Sequence, residues 1–430
     1  MRQVLFISPH FPPDSSAGTH RVRLLAPHMA GHGWTPTVLT VDPRDYEGRL
    51  DDALSTSVPD SVRVVRARAW SPAVTRRFGV GDLGLRAYRG LKRAADALLS
   101  RERFDAVFIT IYPTYPALLG PSLKRDHRLA FVLDYQDPWV GEWGRSVGPG
   151  GEGRPDLKSR ASRWLASRLE PRALTAADGV TAVSHATYEQ ALARTPSARP
   201  RATAELPIGW DPRDLQFVPR APRRFEADGA VHASYVGTLL PAGFETLRAL
   251  FSAVAAERGR GGAAARLRLH FFGTSNLRSA DAPPRVLPIA AEYGLSGVVT
   301  EHAPRLDYFD ALSVLQQSDA VLLLGSRERH YTPSKVFPAL AVERPVLALM
   351  HEASNAADLL GRIGRAPAVQ LVTYADEGAM ARLDGIRSAI ATLAGNPRYD
   401  AAAIDRRVLE PTKACALAGR LSDLLDRCVA

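Results

Sequence analysis

Short, unbroken apolar runs alternate along this chain with longer stretches in which apolar residues recur every three or four positions. Val4–Ser8 (VLFIS) is the first run, and a Pro-rich loop closes it. A segment apolar at every position is buried on both faces, as a strand is inside a parallel sheet. Further runs are Thr37–Val41, Val62–Val65, Asp105–Thr110, Leu129–Asp134 and Gly179–Val183. Between them the helical period holds from about Gly18 to Ala30, where Val22, Leu25 and Met29 share a face, and again over Leu83–Ser100, Pro116–Lys124 and Leu157–Leu174. Strands that alternate with helices in this way predict a doubly wound parallel sheet.

The pattern stops over residues 208–230, which are rich in Pro and Gly and have little period, and then restarts. Strands are expected at Ala233–Val236, Leu267–Phe272, Gly297–Thr300, Ala320–Leu324 and Val346–Leu349. Helices are expected at Phe244–Glu257, Ala290–Tyr293, Leu306–Gln317 and Pro333–Val342. The fold class expected is therefore α/β, with two Rossmann-like doubly wound domains facing a cleft at the carboxyl ends of their strands. The first domain is drawn over 1–212 and the second over 213–410, with the closing helix, 411–430, able to pack back onto the first.

Composition narrows the picture. The chain has 430 residues, 46% hydrophobic and 23% charged, which is enough apolar material for two cores and too much for global disorder. No apolar run approaches the roughly 18–20 residues of a membrane-spanning helix, and the opening MRQVLFISPH does not read as a secretory signal. Two cysteines, Cys415 and Cys428, exclude a disulfide framework and a four-cysteine zinc site, so a reducing cytoplasm is the expected compartment. The net charge of +10 does not imply nucleic acid, because only five of the 55 basic residues are lysine and alanine is abundant, the mark of a coding bias. A basic surface favours phosphate-bearing ligands and anionic membranes alike. Arg86, Arg89 and Arg93 are expected on one helical face, and Arg160, Arg163 and Trp164 mix on another, so peripheral contact with the inner face of a membrane is an expectation alongside a plain solvated surface.

Three segments carry candidate chemistry. In RHYTPSKVFPALAVERPVLAL, Thr332 suits an N-cap and Pro333 the first helical position. The free amides near Ser334, Lys335 and Val336, with the Lys335 ammonium beside them, would form a phosphate cradle; a plain helix start with a solvated lysine is the other reading. In PHFPPDSSAGTHRV, Gly18 stands where a ligand would approach the backbone, or simply where the chain turns. In LDYQDPW, Asp134 and Asp137 end a buried strand, and Asp137 before Pro138 equally suits a structural turn. The dinucleotide glycine fingerprint, the P-loop, an Asp-x-Asp and a HExxH pair are all missing, so no metal site is expected.

Taken in order, these segments resemble glycosyltransferase family 4. FPPDSSAGTHRVRLLAPHMAGHGWTPTVLT is similar to its opening strand, glycine loop and helix; ITIYPTYPALL with FVLDYQDPW resembles a subgroup bearing Asp–Pro–Trp; and ELPIGWDP resembles the segment before its linker. YVGTLLPAGFETLRAL, LHFFGTSN, LSVLQQSDAVLLL and TPSKVFPALAVERPVLAL look like successive elements of its nucleotide-binding domain. The resemblance implies a GT-B fold and a retaining hexosyl- or N-acetylhexosaminyl-transferase. Such an enzyme moves a sugar from a nucleotide-diphosphate donor, a UDP-sugar first, to a carbohydrate, lipid-linked or small-molecule acceptor on the N-terminal domain, with no metal and no permanently bound cofactor. Carried over by position, Gly237, Thr238, Gly273, Thr274, His302, Arg305, His330, Ser334, Lys335 and Val336 would hold the donor, and Gly18 would approach its diphosphate. Tyr135, Gln136 and Asp137 would line the sugar and acceptor side and, with Lys335, carry the chemistry. The family's glutamate pair falls on His330 and Pro338 here, and the Arg and Lys expected after the second domain's first strand are absent. A nucleotide-sugar epimerase and a non-catalytic scaffold subunit are therefore carried as alternatives.

Overall fold

The computed structural model describes all residues except 48–49, 141–156, 223, 240, 276, 278, 280 and 327–334. The chain divides into two units, Met1–Asp211 with Thr412–Ala430, and Pro212–Pro411.

Unit 1 is built on strands β1 (Arg2–Ile7), β2 (Trp34–Val41), β3 (Arg63–Ala67), β4 (Ala106–Thr110), β5 (Ala130–Tyr135), β6 (Gly179–Ala182) and β7 (Ala202–Glu205). They pair in the order β3-β2-β1-β4-β5-β6-β7, every pair parallel. The period of two explains the two cores. Leu5, Ile7, Val107, Ile109, Phe131 and Leu133 point to one side, under the helices Leu83–Arg101, Leu119–His127 and Leu157–Ala176. Val4, Phe6, Ala106, Phe108 and Val132 point to the other, where Leu417, Leu421, Leu424 and Leu425 of the last helix, Ala414–Val429, cover them. One buried ion pair ties the layers together: Arg21 Nε donates to Asp134 at 3.0 Å, Thr181 Oγ1 donates to the same carboxylate at 2.7 Å, and Arg21 Nη1 donates to the Pro207 carbonyl at 3.0 Å.

Unit 2 carries β8 (Val231–Val236), β9 (Leu267–Phe272), β10 (Val299–His302), β11 (Ala320–Leu324), β12 (Val346–His351) and β13 (Val369–Tyr374). The order is β10-β9-β8-β11-β12-β13, again all parallel. In each sheet the order reverses once, between β1 and β4 and between β8 and β11. Such a switch point opens the crevice at the carboxyl ends where ligands of doubly wound sheets bind.

The apolar runs became strands where both faces are covered. Two strands were not anticipated, β7 and β13, and each is the edge of its sheet. Helices at His185–Arg194, Asn355–Ile363 and Leu383–Gly395 were also not anticipated. The helix expected from Pro333 is described from Val336 to Ala341; its proposed cap, Thr332, and first turn, Pro333, lie outside the described residues. Part of the 208–230 segment packs into unit 2: Phe225 stacks on His232 and His270, and Asp214 accepts from the Tyr308 hydroxyl at 2.9 Å.

Candidate functional site

In unit 2 the carboxyl ends of β8 and β9 are finished by two glycines with positive φ, Gly237 (128°) and Gly273 (66°). The Gly237 N–H donates to the Phe272 carbonyl at 2.8 Å and the Gly273 N–H to that of His302 at 2.8 Å, which laces the three strand ends together. A Cβ at Gly273 would lie 3.7 Å from the Leu306 nitrogen and 3.8 Å from both the Arg305 and Gly237 Cα atoms. Gly237, Gly273, His302 and Arg305 thus meet at one end of one sheet.

Lys335 reaches into the same place. Its Nζ donates to the Tyr235 hydroxyl at 2.7 Å and to the Thr238 carbonyl at 2.8 Å, and sits 4.6 Å from the Tyr235 ring centroid. A Cβ on Gly237 would stand 2.3 Å from Lys335 Cε, so this glycine leaves room for the lysine stem. Burial strips water from the ammonium and lowers its pKa from 10.5 to about 7. A largely desolvated cation with no carboxylate partner among the described residues is poised to gain from an arriving anion. The lysine is not the solvated residue of the alternative sequence reading.

Other donor-side expectations fare differently. Thr274 is fully buried and its hydroxyl donates to Glu301, whose carboxylate also receives the amides of Arg285, Val286 and Leu287. This threonine anchors a loop, and its side chain is not available to a nucleotide. The Val336 side chain is buried as well, which leaves only its backbone for a ligand. His302 is exposed, its ring 6.2 Å from that of Phe272. His330 and Ser334 lie outside the described residues.

Unit 1 has a cavity of about 700 Å³ over its own switch point. His10 and Asp14 enter it after β1, Tyr46 and Glu47 after β2, Tyr112–Thr114 after β4, and Asp137–Trp139 after β5. Asp82 and Arg86, from the start of the helix Leu83–Arg101, close one side. His10 Nδ1 and Asp14 Oδ2 are 2.6 Å apart. Burial alone would raise the Asp14 pKa, but hydrogen bonds from His10, Ser16 and Thr19 bring it below the ordinary value. Asp82 and Asp137 are both raised by desolvation. The Arg86 guanidinium is spent inward on the Trp70 and Asp45 carbonyls and on Glu47.

Asp137 lines this cavity; Tyr135 and Gln136 do not. Tyr135 is fully buried among Phe131 and Leu133, because period two sends it to their side of the sheet. The expectation that Tyr135 meets a sugar is corrected. Gln136 is buried, donating to Thr110 Oγ1 at 2.6 Å and to the Gly18 carbonyl at 3.3 Å, so it braces the first loop. Gly18 has the Tyr112 ring against it, 2.3 Å from where a Cβ would lie, so that ring occupies the space the sequence reading gave to a ligand. Arg86 is buried and leaves the basic helical face expected of it. The sequence reading missed His10, Asp14, Asp82 and Tyr112 as site residues; their signal was position, on loops that follow strands next to the sheet reversal.

Two all-parallel doubly wound units, each with its candidate residues at a strand-order reversal, define the α/β fold known as GT-B. Residues 17–209, all within unit 1, match the family model of the glycosyl transferase 4-like domain. Residues 17–209 therefore carry a glycosyl transferase 4-like domain, and the whole chain has the GT-B fold. Comparison with curated proteins gave no match. Among solved structures, the chain is similar to sucrose-phosphate synthase from Thermosynechococcus elongatus, with 15% identity over 99% of this chain and 98% of that one, at a TM-score of 0.59. It is also similar to a UDP-forming α,α-trehalose-phosphate synthase from Burkholderia xenovorans (11% identity, 100% of both chains, TM-score 0.61). Anabaena HepE in complex with UDP-glucose matches at 13% identity over 100% of this chain and 96% of that one, with a TM-score of 0.54.

Proposed function

We propose that this chain is a retaining glycosyltransferase that binds a nucleotide-diphosphate sugar in unit 2 and its acceptor in the unit 1 cavity. The observation that carries the reading is the Lys335 ammonium, largely desolvated and without a carboxylate partner among the described residues, at the glycine-finished ends of β8 and β9. Transfer breaks the bond between the anomeric carbon and the donor diphosphate, and negative charge grows on the leaving phosphate. A preorganised cation in low dielectric stabilises that charge more than bound water would. In the proposed reaction the acceptor hydroxyl attacks from the face the phosphate leaves, and its proton passes to that phosphate, so no separate base is required. Lys335 supplies positive charge that a divalent metal would otherwise bring, and activity in excess chelator is expected to persist.

UDP is the first nucleotide to try, since HepE is described with UDP-glucose and the trehalose-phosphate synthase as UDP-forming. Acceptor binding by unit 1 is supported by the shape of its cavity and by Asp137, whose accessible carboxyl in the cavity lining suits a hydrogen bond to a sugar hydroxyl. Pro338, in the place of the family's second glutamate, offers no carboxylate to a ribose, and it favours a nucleotide-sugar-binding subunit without catalysis as the second reading. Incubation with a panel of nucleotide sugars separates the readings. Release of nucleoside diphosphate with an anomer-retained product supports transfer; an isomerised donor points to an epimerase; binding without turnover points to the subunit.

A further inference from the structure

Outside both sites, unit 1 carries a surface that combines large apolar side chains with cations. Between β3 and the helix Leu83–Arg101, a helical turn Pro72–Thr75 continues into a tighter turn, Arg76–Phe78. Thr75 faces inward and is buried. Exposed in this short segment are Trp70, Val74 and Phe78, at 52%, 57% and 80%. Leu85 joins them at 38% exposure. The Arg89 guanidinium lies 5.2 Å over the Trp70 ring. Arg77, Arg89 and Arg93 are exposed and make no ion pair with a carboxylate among the described residues, whereas Arg76 is paired with Glu47. The motif recurs on the helix Leu157–Ala176, where Trp164 is exposed with Arg168 5.2 Å over its ring and Leu157 and Leu165 nearby in sequence. Both helices cover the same face of the unit 1 sheet, through Leu91 and Ala95 on one and Ala166 and Ala173 on the other.

We propose that this flank of unit 1 docks onto an anionic lipid bilayer. A single exposed apolar residue needs no partner, but a tryptophan, a valine and a phenylalanine exposed within one short segment, with arginines beside them, match the headgroup boundary: rings enter the acyl edge and guanidinium groups meet lipid phosphates. Charge complementarity argues against a second copy of this chain, since its arginines would face one another. The surface differs from the helical face expected from sequence, because Arg86 points inward and Trp70, Val74 and Phe78 come from the segment before the helix.

The test is flotation of the full-length protein with vesicles of neutral phosphatidylcholine and with vesicles about one-third phosphatidylglycerol. The protein should float with the anionic vesicles and not the neutral ones, and less so as salt is raised. The pairs Trp70→Ser with Phe78→Ser, and Arg77→Gln with Arg89→Gln, should each lower vesicle partitioning about tenfold or more. All four residues are exposed, so both pairs should keep the wild-type melting temperature, and nucleotide binding serves as a separate control. No flotation with anionic vesicles at physiological salt, or flotation that both double variants retain, would overturn the proposal.

Discussion

Replacing Lys335 by methionine should strengthen the fold and weaken donor binding at once. The structure sets both magnitudes. Keeping an ammonium at a pKa of about 7 instead of its ordinary 10.5 costs roughly 3–4 kcal/mol of stability at neutral pH. Between those two values the unfolded chain binds the proton and the folded chain does not, so this contribution to stability rises with pH across that window. Methionine removes the charge and keeps the length. It deprives the Tyr235 hydroxyl and the Thr238 carbonyl of one partner each, about 1 kcal/mol apiece, although the two still bond each other at 3.0 Å. The net gain is about 1–2 kcal/mol, or roughly 2–6 °C in the unfolding of a domain this size. The loss falls on the ligand: a charged hydrogen bond to phosphate contributes about 1.5–3 kcal/mol, so the Kd for UDP should rise about 10- to 150-fold. Calorimetric titration with UDP and a thermal melt at pH 7 read both effects. A variant that melts lower, or binds UDP within about twofold of wild type, would refute the reasoning.

Three other outcomes follow from the geometry. Gly237→Ala should push Lys335 off the Tyr235 hydroxyl, because the new Cβ falls 2.3 Å from Lys335 Cε at a φ of +128°; UDP affinity should fall about tenfold and the fold lose about 1–2 kcal/mol, read by titration and chemical denaturation. Asp137→Asn should leave UDP affinity unchanged and lower the rate of transfer to acceptor about tenfold or more, as steady-state kinetics would show, since its side chain lines the unit 1 cavity. Tyr135→Phe should leave turnover unaltered and lower stability by about 1 kcal/mol or less, because its buried hydroxyl faces Glu170 in the core and not the cavity.

The central strands were readable because VLFI, AVFIT, AFVLDY and AVLLL are buried on both faces, and burial on both faces leaves an unbroken apolar run. The edges were not. β7 is Ala202–Glu205, with only its first residue fully buried, and short polar strands at an edge look like loop. β13 (VQLVTY) buries a glutamine and alternates buried and half-exposed positions from Gln370 onward, a weaker signal than the runs beside it. Among site residues, Lys335 was legible as a chemical group but not in its setting. Its surroundings come from Tyr235 and Gly237, about a hundred positions away, and no local pattern reports such a contact. Tyr135 was misjudged for the opposite reason: its nearness to Asp137 suggested a shared role, while the strand's period of two put it with Leu133 in the core. Thr274 failed on a contact from the neighbouring strand end, since nothing in GTSN announces that Glu301 waits for its hydroxyl.

The five lysines of this chain make one measurement unusually clean. The lysine Cε resonances, followed by NMR from pH 6 to about pH 11 in the presence and absence of UDP, report each ammonium separately, and the Lys335→Met variant assigns the one of interest. If Lys335 holds the donor diphosphate, a single resonance titrates near pH 7 in the free protein, and UDP keeps it protonated to about pH 9 or beyond, since an adjacent dianion favours the charged form. Five lysines titrating together near their ordinary value, or a low-pH titration that saturating UDP leaves in place, would contradict the assignment of the donor site.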